Sequence, residues 1–164
     1  MCAETSAAIL AGTFALAGVA LSISTSALLS LWDKNHKRKV LLREKYEELS
    51  YRFLASFEMP QKLMSYQGNK EEVLSLTHQK YGNQAHMLAL LYFHQLQEST
   101  GQYIQTYSNL CVVSHSLYNP NNNLLLGEQV YDNPKYIAAR NAHIAARDHL
   151  QEQIKKYATK YANV

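Results

Sequence analysis

Seven histidines are the residues of this 164-residue chain that could most readily bind a metal ion. His78, His86 and His94 follow one another at intervals of eight residues, and eight residues turn an α-helix by about 80°. We therefore predict that these imidazoles spread around the helix surface and do not converge. His94 and Glu98 lie one turn apart, but helical di-metal sites need Glu-x-x-His pairs on two helices, and the sequence contains none. No metal site and no cofactor are predicted.

Two other spacings could support chemistry. Arg140, His143 and Arg147 recur at one-turn intervals and could form an anion-binding edge for phosphate, although such triplets are commonly solvated faces. Cys111 and His115 are also one turn apart, but a nucleophilic thiol needs an exposed, activating setting, and Cys111 lies in an apolar stretch. The sequence contains no known catalytic motif, so we predict no catalytic residue.

The element expected to position the rest of the chain is Thr5–Trp32, twenty-eight consecutive residues without a charged side chain. About 20 helical residues cross a hydrocarbon core of roughly 30 Å, so we predict a transmembrane helix. A cleaved signal peptide and a hydrophobic helix buried in a soluble assembly are the alternatives. Signal peptides have a basic amino-terminal region and an apolar core of about 7 to 15 residues, and residues 1–4 contain no basic side chain.

After Asp33, four basic residues follow this run within residues 34–39, whereas only an acid, Glu4, and the terminal amine precede it. Because lysine and arginine are retained on the cytoplasmic side, we predict a single-pass protein with its amino terminus outside and residues 33–164 in the cytoplasm. A plain stop-transfer flank is the alternative to specific headgroup recognition. The residues predicted to contact lipid headgroups are Trp32, Lys34, Lys37, Arg38 and Lys39.

Small residues recur along one side of the predicted transmembrane helix at alternating spacings of three and four. Such seams let helices approach closely in lipid, so this one predicts self-association or docking to another membrane protein. The composition of the run is rich in small residues, so a seam could also arise by chance. The seam consists of Ala8, Ala11, Ala15, Gly18, Ser22 and Thr25.

The rest of the chain is long enough for one packed domain. We divide the chain into a transmembrane anchor, residues 1–32, and a cytoplasmic helical bundle, residues 33–164. All 16 Lys and Arg and 12 of the 13 acidic residues follow residue 32, so the second part has a net charge of +4. The excess lies largely in the cations directly after the run, and no nucleic-acid-binding motif occurs, so no nucleic-acid partner is predicted.

Apolar periodicity predicts an all-α fold, in which the transmembrane helix continues into a bundle of about four helices. The first helix is expected to run to Pro60, where the ring stops or kinks it. Asn69 is predicted to cap a short helix, and Asn133 with Pro134 to begin the last one. A turn at Gly82 and Asn83 is favoured over an uninterrupted helix.

The predicted helix of residues 84–117 carries almost no charge. Between Lys80 and Glu128 the only charged residue is Glu98, whereas a solvated face is normally charged. This helix is therefore predicted either to be central in the bundle or to meet another protein chain. Twelve tyrosines follow residue 45, and most have helical spacings that indicate packing. Those outside the main stripes, the better candidates for partner contacts, are Tyr51, Tyr66, Tyr118 and Tyr131.

These features predict a membrane-anchored interaction or scaffold module that is a subunit or regulator of a larger membrane complex, or a homo-oligomer. A pore-forming effector is the alternative, but the serines at positions 22, 24, 26 and 30 spread over the helix and do not line one face. An enzyme acting on a lipid or nucleotide is a more distant alternative. The residues that it would use are His94, Glu98, His143 and Arg147.

Overall fold

A computed structural model describes the backbone of residues 2–76 and 78–162, and the side chains of residues 22–161 apart from 23, 24, 27 and 77. Every regular element in this part of the chain is an α-helix, which confirms the all-α class. The helices are α1 (Cys2–Ala55), α2 (Glu58–Met64), α3 (Lys70–Ser75), α4 (Lys80–Tyr92), α5 (His94–Leu117), α6 (Leu126–Val130) and α7 (Pro134–Ala162).

The chain divides into two compact units, Met1–Leu41 and Leu42–Val164. In the first unit, the carboxyl end of the uncharged run exposes large apolar side chains, with Trp32 70 % exposed. Among the residues that the structure describes, no helix combines the length and the apolar character needed to cross a bilayer. Most of the predicted span, Thr5–Trp32, lies outside the described side chains.

In the second unit, α5 is the central helix and contacts α3, α4, α6 and α7. It buries four large side chains of its apolar stripe, Leu96, Tyr103, Tyr107 and Leu110. Ser99, Thr100 and Ser114 are buried too, and each donates its hydroxyl to a backbone carbonyl of the same helix. Burial within the chain explains the lack of charge on one side of α5, whereas Gln95, Gln102 and Gln105 of the same helix are exposed and uncharged.

The single helix predicted for residues 84–117 is wrong at Phe93, which separates α4 from α5. Phe93 has φ −135° and ψ 70°, outside the helical region, and its ring is fully buried. The ring packs edge-on against Tyr46 and Tyr161, with centroid distances of 5.2 and 4.9 Å. The favoured turn at Gly82 and Asn83 is also wrong, since both lie inside α4.

The predicted interruption near Pro60 occurs a few residues earlier. Helix α1 ends at Ala55 and α2 begins at Glu58, so Pro60 is the third residue of α2. A proline is tolerated in a first helical turn because the N–H groups there have no intrahelical acceptor. The two predicted helix starts are confirmed, since the side-chain oxygens of Asn69 and Asn133 accept hydrogen bonds from Glu71 N and Lys135 N.

Buried side chains form two clusters in the second unit. The long-helix cluster joins α1, α4, α5 and α7 and consists of Tyr46, Leu49, Phe53, Ala85, Ala89, Phe93, Leu96, Tyr103 and Leu150. The short-helix cluster joins α2, α3 and α6 to α5 and α7 and consists of Leu63, Val73, Tyr107, Leu110, Cys111, Tyr118, Leu126, Val130, Tyr136 and Ala139.

Tyrosine hydroxyls link the short elements to α5. The hydroxyl of Tyr107 donates to the carbonyl of Leu76 at 3.0 Å. The hydroxyl of Tyr118, at the end of α5, accepts from Gly68 N at 3.0 Å and donates to Gly68 O at 3.1 Å. These bonds satisfy backbone groups in the two loops that flank α3, groups that helical hydrogen bonds leave unpaired.

Candidate functional site

A cavity of about 730 Å³ lies in the second unit, lined by residues of α2, α5, α6 and α7. Its size is within the range of small-molecule sites, about 300 to 1,000 Å³. Tyr103, Leu110 and Tyr136 are buried lining residues and form the floor, whereas Tyr131 is 62 % exposed and Ile144 36 % exposed at the rim. The cavity is therefore open to solvent on one side.

Most of the lining is apolar. Phe57, Met64 and Leu110 contribute side chains without hydrogen-bond donors, and the hydroxyl of Tyr136 is directed to Met64 Sδ at 2.5 Å. A thioether sulfur is a weak acceptor, so this contact directs the tyrosine hydroxyl toward the wall of the cavity. Walls of this kind favour an alkyl or aromatic group over a strongly hydrated one.

Gly127 brings α6 close to α2 at the wall of the cavity. A Cβ atom at this position would lie 2.8 Å from the backbone oxygen of Met64, closer than van der Waals contact allows. Nearby, Leu126 N donates to Tyr66 O at 2.9 Å, which joins the start of α6 to the residues after α2. The distance between α2 and α6 therefore depends on glycine at position 127, which has no side chain.

Arg140, His143 and Arg147 of α7 all line the cavity, and Gln61 and Ser65 are further polar lining residues at α2. The three residues proposed to form a basic, anion-binding edge therefore lie together in the wall of one cavity. Residues three and four apart on a helix share one face, which explains why all three reach the same cavity. The apolar walls of the cavity could not be predicted from the spacing of residues on one helix.

His143 is buried beside the aromatic rings of both clusters. Its ring stacks on Tyr103 at 5.0 Å between centroids and lies 5.5 Å from that of Tyr107, and its Nδ1 is 3.4 Å from Thr106 Oγ1. Burial, together with the positive charge of Arg147, lowers the pKa of His143 to about 4. This imidazole is therefore neutral at pH 7.

The two arginines differ in their surroundings. Arg147 donates from Nε and Nη2 to one carboxylate oxygen of Asp148, at 2.9 and 2.7 Å, and its guanidinium lies over the ring of Phe57. Arg140 makes no ion pair among the described residues, and its Nε is buried without a hydrogen-bond partner. Its guanidinium lies 5.7 Å from the centre of the Tyr131 ring. Arg140 is thus the cation of this cavity that no carboxylate neutralises.

The histidines considered for metal binding do not form a site in the described part of the chain. His86 Nδ1 is 2.8 Å from Thr100 Oγ1, and His94 Nδ1 is 3.4 Å from Gln97 Oε1, not paired with Glu98. No group of three His, Cys, Asp or Glu side chains among the described residues is arranged to hold a metal ion.

Cys111 is fully buried, as predicted for a core residue. Burial raises the pKa of its thiol to about 11, which opposes formation of the nucleophilic thiolate at pH 7. Cys111 and His115 therefore do not form a reactive thiolate–imidazole pair at pH 7.

The residues predicted to contact lipid headgroups are exposed on α1. Trp32 stacks on His36 with 5.8 Å between ring centroids, and Lys37 pairs with Asp33 at 2.6 Å. Lys34, Arg38 and Lys39 are also exposed. Of the small-residue seam, Ser22 and Thr25 are exposed, and Ala8, Ala11, Ala15 and Gly18 lie outside the described side chains.

The four tyrosines proposed for partner contacts fall into two groups. Tyr51 and Tyr131 are 65 % and 62 % exposed, so both are accessible to a partner. For Tyr118 the proposal is wrong, because this side chain is buried against Tyr66 and Gly68. Tyr66 is half-buried and donates to Glu72 at 2.8 Å.

Comparison with known proteins found no similarity from which a function could be transferred. No protein-family model, no curated protein and no solved structure matches the chain.

Proposed function

We propose that the protein is a single-pass, membrane-anchored helical interaction module that is a subunit or regulator of a membrane complex or forms a homo-oligomer. In this proposal Thr5–Trp32 spans the bilayer, with the amino terminus outside and the bundle in the cytoplasm. The small-residue seam is the side of the span that packs against another membrane helix.

The observation that carries the proposal is the abrupt change of surface along α1. Leu28, Leu29, Leu31 and Trp32 are each 59 to 70 % exposed, and they end a run without charge. Exposed cations begin two residues later, at Lys34. Large apolar side chains around one helix, followed by an interfacial tryptophan and cations, are typical of a membrane boundary.

The bundle offers an apolar patch for a protein partner on α4. Met87 and Leu91 lie one turn apart, are 53 % and 67 % exposed, and belong to the segment in which Glu98 is the only charged residue. Exposed apolar side chains in an uncharged setting are typical of protein interfaces.

The pore alternative has no specific observation in its favour. The hydroxyl of Ser26 donates to Ser22 O at 2.8 Å, so its own helix satisfies it and a water-filled lumen is not required. Of the enzyme alternatives, the apolar cavity favours a lipid-like over a nucleotide ligand, but no activated nucleophile lines it.

The membrane topology is tested by labelling with a membrane-impermeant maleimide. Cys111 is buried, so Cys2 is the cysteine that the reagent is expected to modify in right-side-out membrane vesicles. The matched control carries Cys2→Ser and Lys135→Cys, and it should react only after the membrane is permeabilised. Release of the chain by alkaline carbonate, or labelling of position 135 in sealed vesicles, would contradict the proposal.

The interaction role is tested by the mass of the particle extracted in mild detergent. We expect the particle to contain several copies of the chain or a second membrane protein. If the α4 patch is the contact, the double variant Met87→Lys, Leu91→Lys should release the extra copies or the second protein. Leu54→Lys is the matched control, because Leu54 is 57 % exposed on α1, outside this patch. A strictly monomeric wild-type particle with nothing bound would refute the interaction role.

A further inference from the structure

Arg140 places a positive charge at the cavity without an anion to balance it. A guanidinium stays protonated in proteins, and its Nε here is a buried donor without an acceptor. An unsatisfied buried donor is unfavourable, so a structure that retains one needs an explanation. A carboxylate or phosphate group in the cavity would balance the charge of this guanidinium.

The rest of the cavity indicates what such an anion is attached to. Inorganic phosphate would fill a small part of about 730 Å³ and would leave Phe57, Met64 and Leu110 without a contact. A nucleotide would bring several polar groups to a cavity whose surface is mostly apolar. A flexible alkyl chain matches both the volume and the apolar side chains.

The other two polar residues on α7 do not compete for the head group. Arg147 is paired with Asp148, and the neutral ring of His143 stacks on Tyr103 and contacts the tilted ring of Tyr107. One uncompensated cation in an apolar cavity favours a ligand with a single anionic head.

We propose that this cavity binds a single-chain amphiphile with an anionic head, which lies at Arg140, and an alkyl chain that lies among Phe57, Met64, Leu110 and Ile144. Because the rim is formed by exposed residues, such a ligand can enter without unfolding the bundle. This inference goes beyond the proposed interaction role and does not depend on it.

The test uses the full-length chain in lipid nanodiscs and a hexadecanoic acid that carries a photoreactive diazirine in the middle of its chain. After illumination, mass spectrometry locates the modified peptides. We expect labelling of the α2 and α7 peptides that contain Met64 and Ile144. Probe dissolved in the bilayer can label α1, so the cavity signal is counted only from peptides of α2, α5, α6 and α7.

Three variants separate the head group from the chain. Arg140→Gln should lower cavity labelling about tenfold or more, the factor expected for loss of a charge-assisted hydrogen bond. Lys135→Gln removes a charge from the exposed start of the same helix and should leave labelling unchanged. Ile144→Trp should lower labelling by filling the rim. Unchanged thermal unfolding midpoints show that the variants are folded. If Arg140→Gln does not fold, labelling of Ile144→Trp and the competition experiment test the binding proposal instead.

Competition with unlabelled compounds identifies the head. Hexadecanoate and hexadecyl phosphate distinguish the two anionic heads, and either one should displace the probe, whereas hexadecanol and inorganic phosphate should not. Equal displacement by hexadecanol would refute the anionic head, and displacement by inorganic phosphate alone would refute the alkyl chain. Absence of cavity labelling, or equal labelling of folded Arg140→Gln and wild type, would overturn the proposal.

Discussion

The long-helix cluster and the short-helix cluster share α5 and α7 but close their cores differently. In the first, residues 42–55 of α1, together with α4, pack rings and leucines against α5 and α7, and Tyr46, Phe93 and Tyr161 contact one another. In the second, helices of five to seven residues are held by tyrosine hydroxyls and by one close approach at Gly127. The cavity borders the second cluster at Leu110 and Tyr136, and Tyr103 of the first cluster forms part of its floor.

This difference shows where a helical bundle can keep space for a ligand. Long helices bring an uninterrupted apolar stripe to their neighbours and exclude voids. Helices of two turns or less bury few side chains each, so their positions depend on individual contacts and leave room between them. The predictions below compare the two clusters.

The largest effect is expected from removing a leucine in each cluster. Leu49 and Leu126 are both fully buried, and Leu→Ala in a core costs about 2 to 5 kcal/mol, depending on how far the surroundings collapse. We expect about 4 kcal/mol for Leu49→Ala and about 2.5 kcal/mol for Leu126→Ala, since short helices can move into the space. Urea unfolding of the full-length chain, followed by near-ultraviolet circular dichroism of the tyrosines, measures both. An equal or reversed order would mean that the short-helix cluster is as rigid as the other.

The pH dependence of stability tests His143, whose ring contacts Tyr103 of the long-helix cluster and Tyr107 of the short-helix cluster. Its folded pKa, about 4, lies below the ordinary value of 6.5, so protons bind the unfolded chain first as the pH falls. The stabilisation is complete above pH 6.5 and is lost as the pH falls from 6.5 to 4, by about 3 kcal/mol in total. Urea unfolding at several pH values should show this loss in the wild type.

His143→Phe should flatten this part of the pH profile, whereas His36→Gln, on an exposed histidine of the first unit, should leave it unchanged. The same slope in His143→Phe as in the wild type would show that His143 is not the group that titrates.

A pair of glycine variants compares the two clusters at the backbone. Gly127→Ala places a Cβ 2.8 Å from Met64 O and should cost about 1 to 3 kcal/mol by separating α6 from α2. Gly101→Ala, inside α5, meets only His86 Cε1 at 3.6 Å, an ordinary contact, and should stabilise by about 0.5 to 1 kcal/mol. Thermal unfolding of both variants shows whether each substitution stabilises or destabilises the fold. Tolerance of Gly127→Ala would show that α2 and α6 are not fixed by this contact.

The smallest effects are expected at surface ion pairs. Glu47→Gln removes a pair with Arg43, beside the long-helix cluster, and Glu58→Gln removes one with Lys62, on α2. All four side chains are at least half exposed, so each change should cost about 0.5 kcal/mol or less. Urea unfolding at low and high salt checks this. A loss above about 1 kcal/mol only in Glu58→Gln would mean that α2 depends on this pair to stay in place.

Features determined by neighbouring residues could be predicted from the sequence, and features determined by distant packing could not. The capping side chains of Asn69 and Asn133 act on the next two residues, so both helix starts were predictable. The break at Phe93 depends on Tyr46 and Tyr161, which are remote in sequence. No local signal of the proline or glycine type marks it.

The candidate site also has one part that could be predicted from neighbouring residues and one part that depends on distant packing. The one-turn spacing of Arg140, His143 and Arg147 indicated a basic edge, because a single helix carries all three. The cavity itself could not be predicted, since it depends on where α2 and α6 lie. Tyr118 was misplaced for the same reason: its position after α5 suggests exposure, but the loop at Gly68 covers it.

The hydrogen bonds from Tyr107 and Tyr118 have a consequence for the order of folding. They join residues 31 and 50 positions apart, so the loops they close form only after a large loss of chain entropy. Helix α3 has six residues and cannot persist alone, so its formation must wait for α5. The half of the bundle beside the cavity is therefore expected to fold last and to open first.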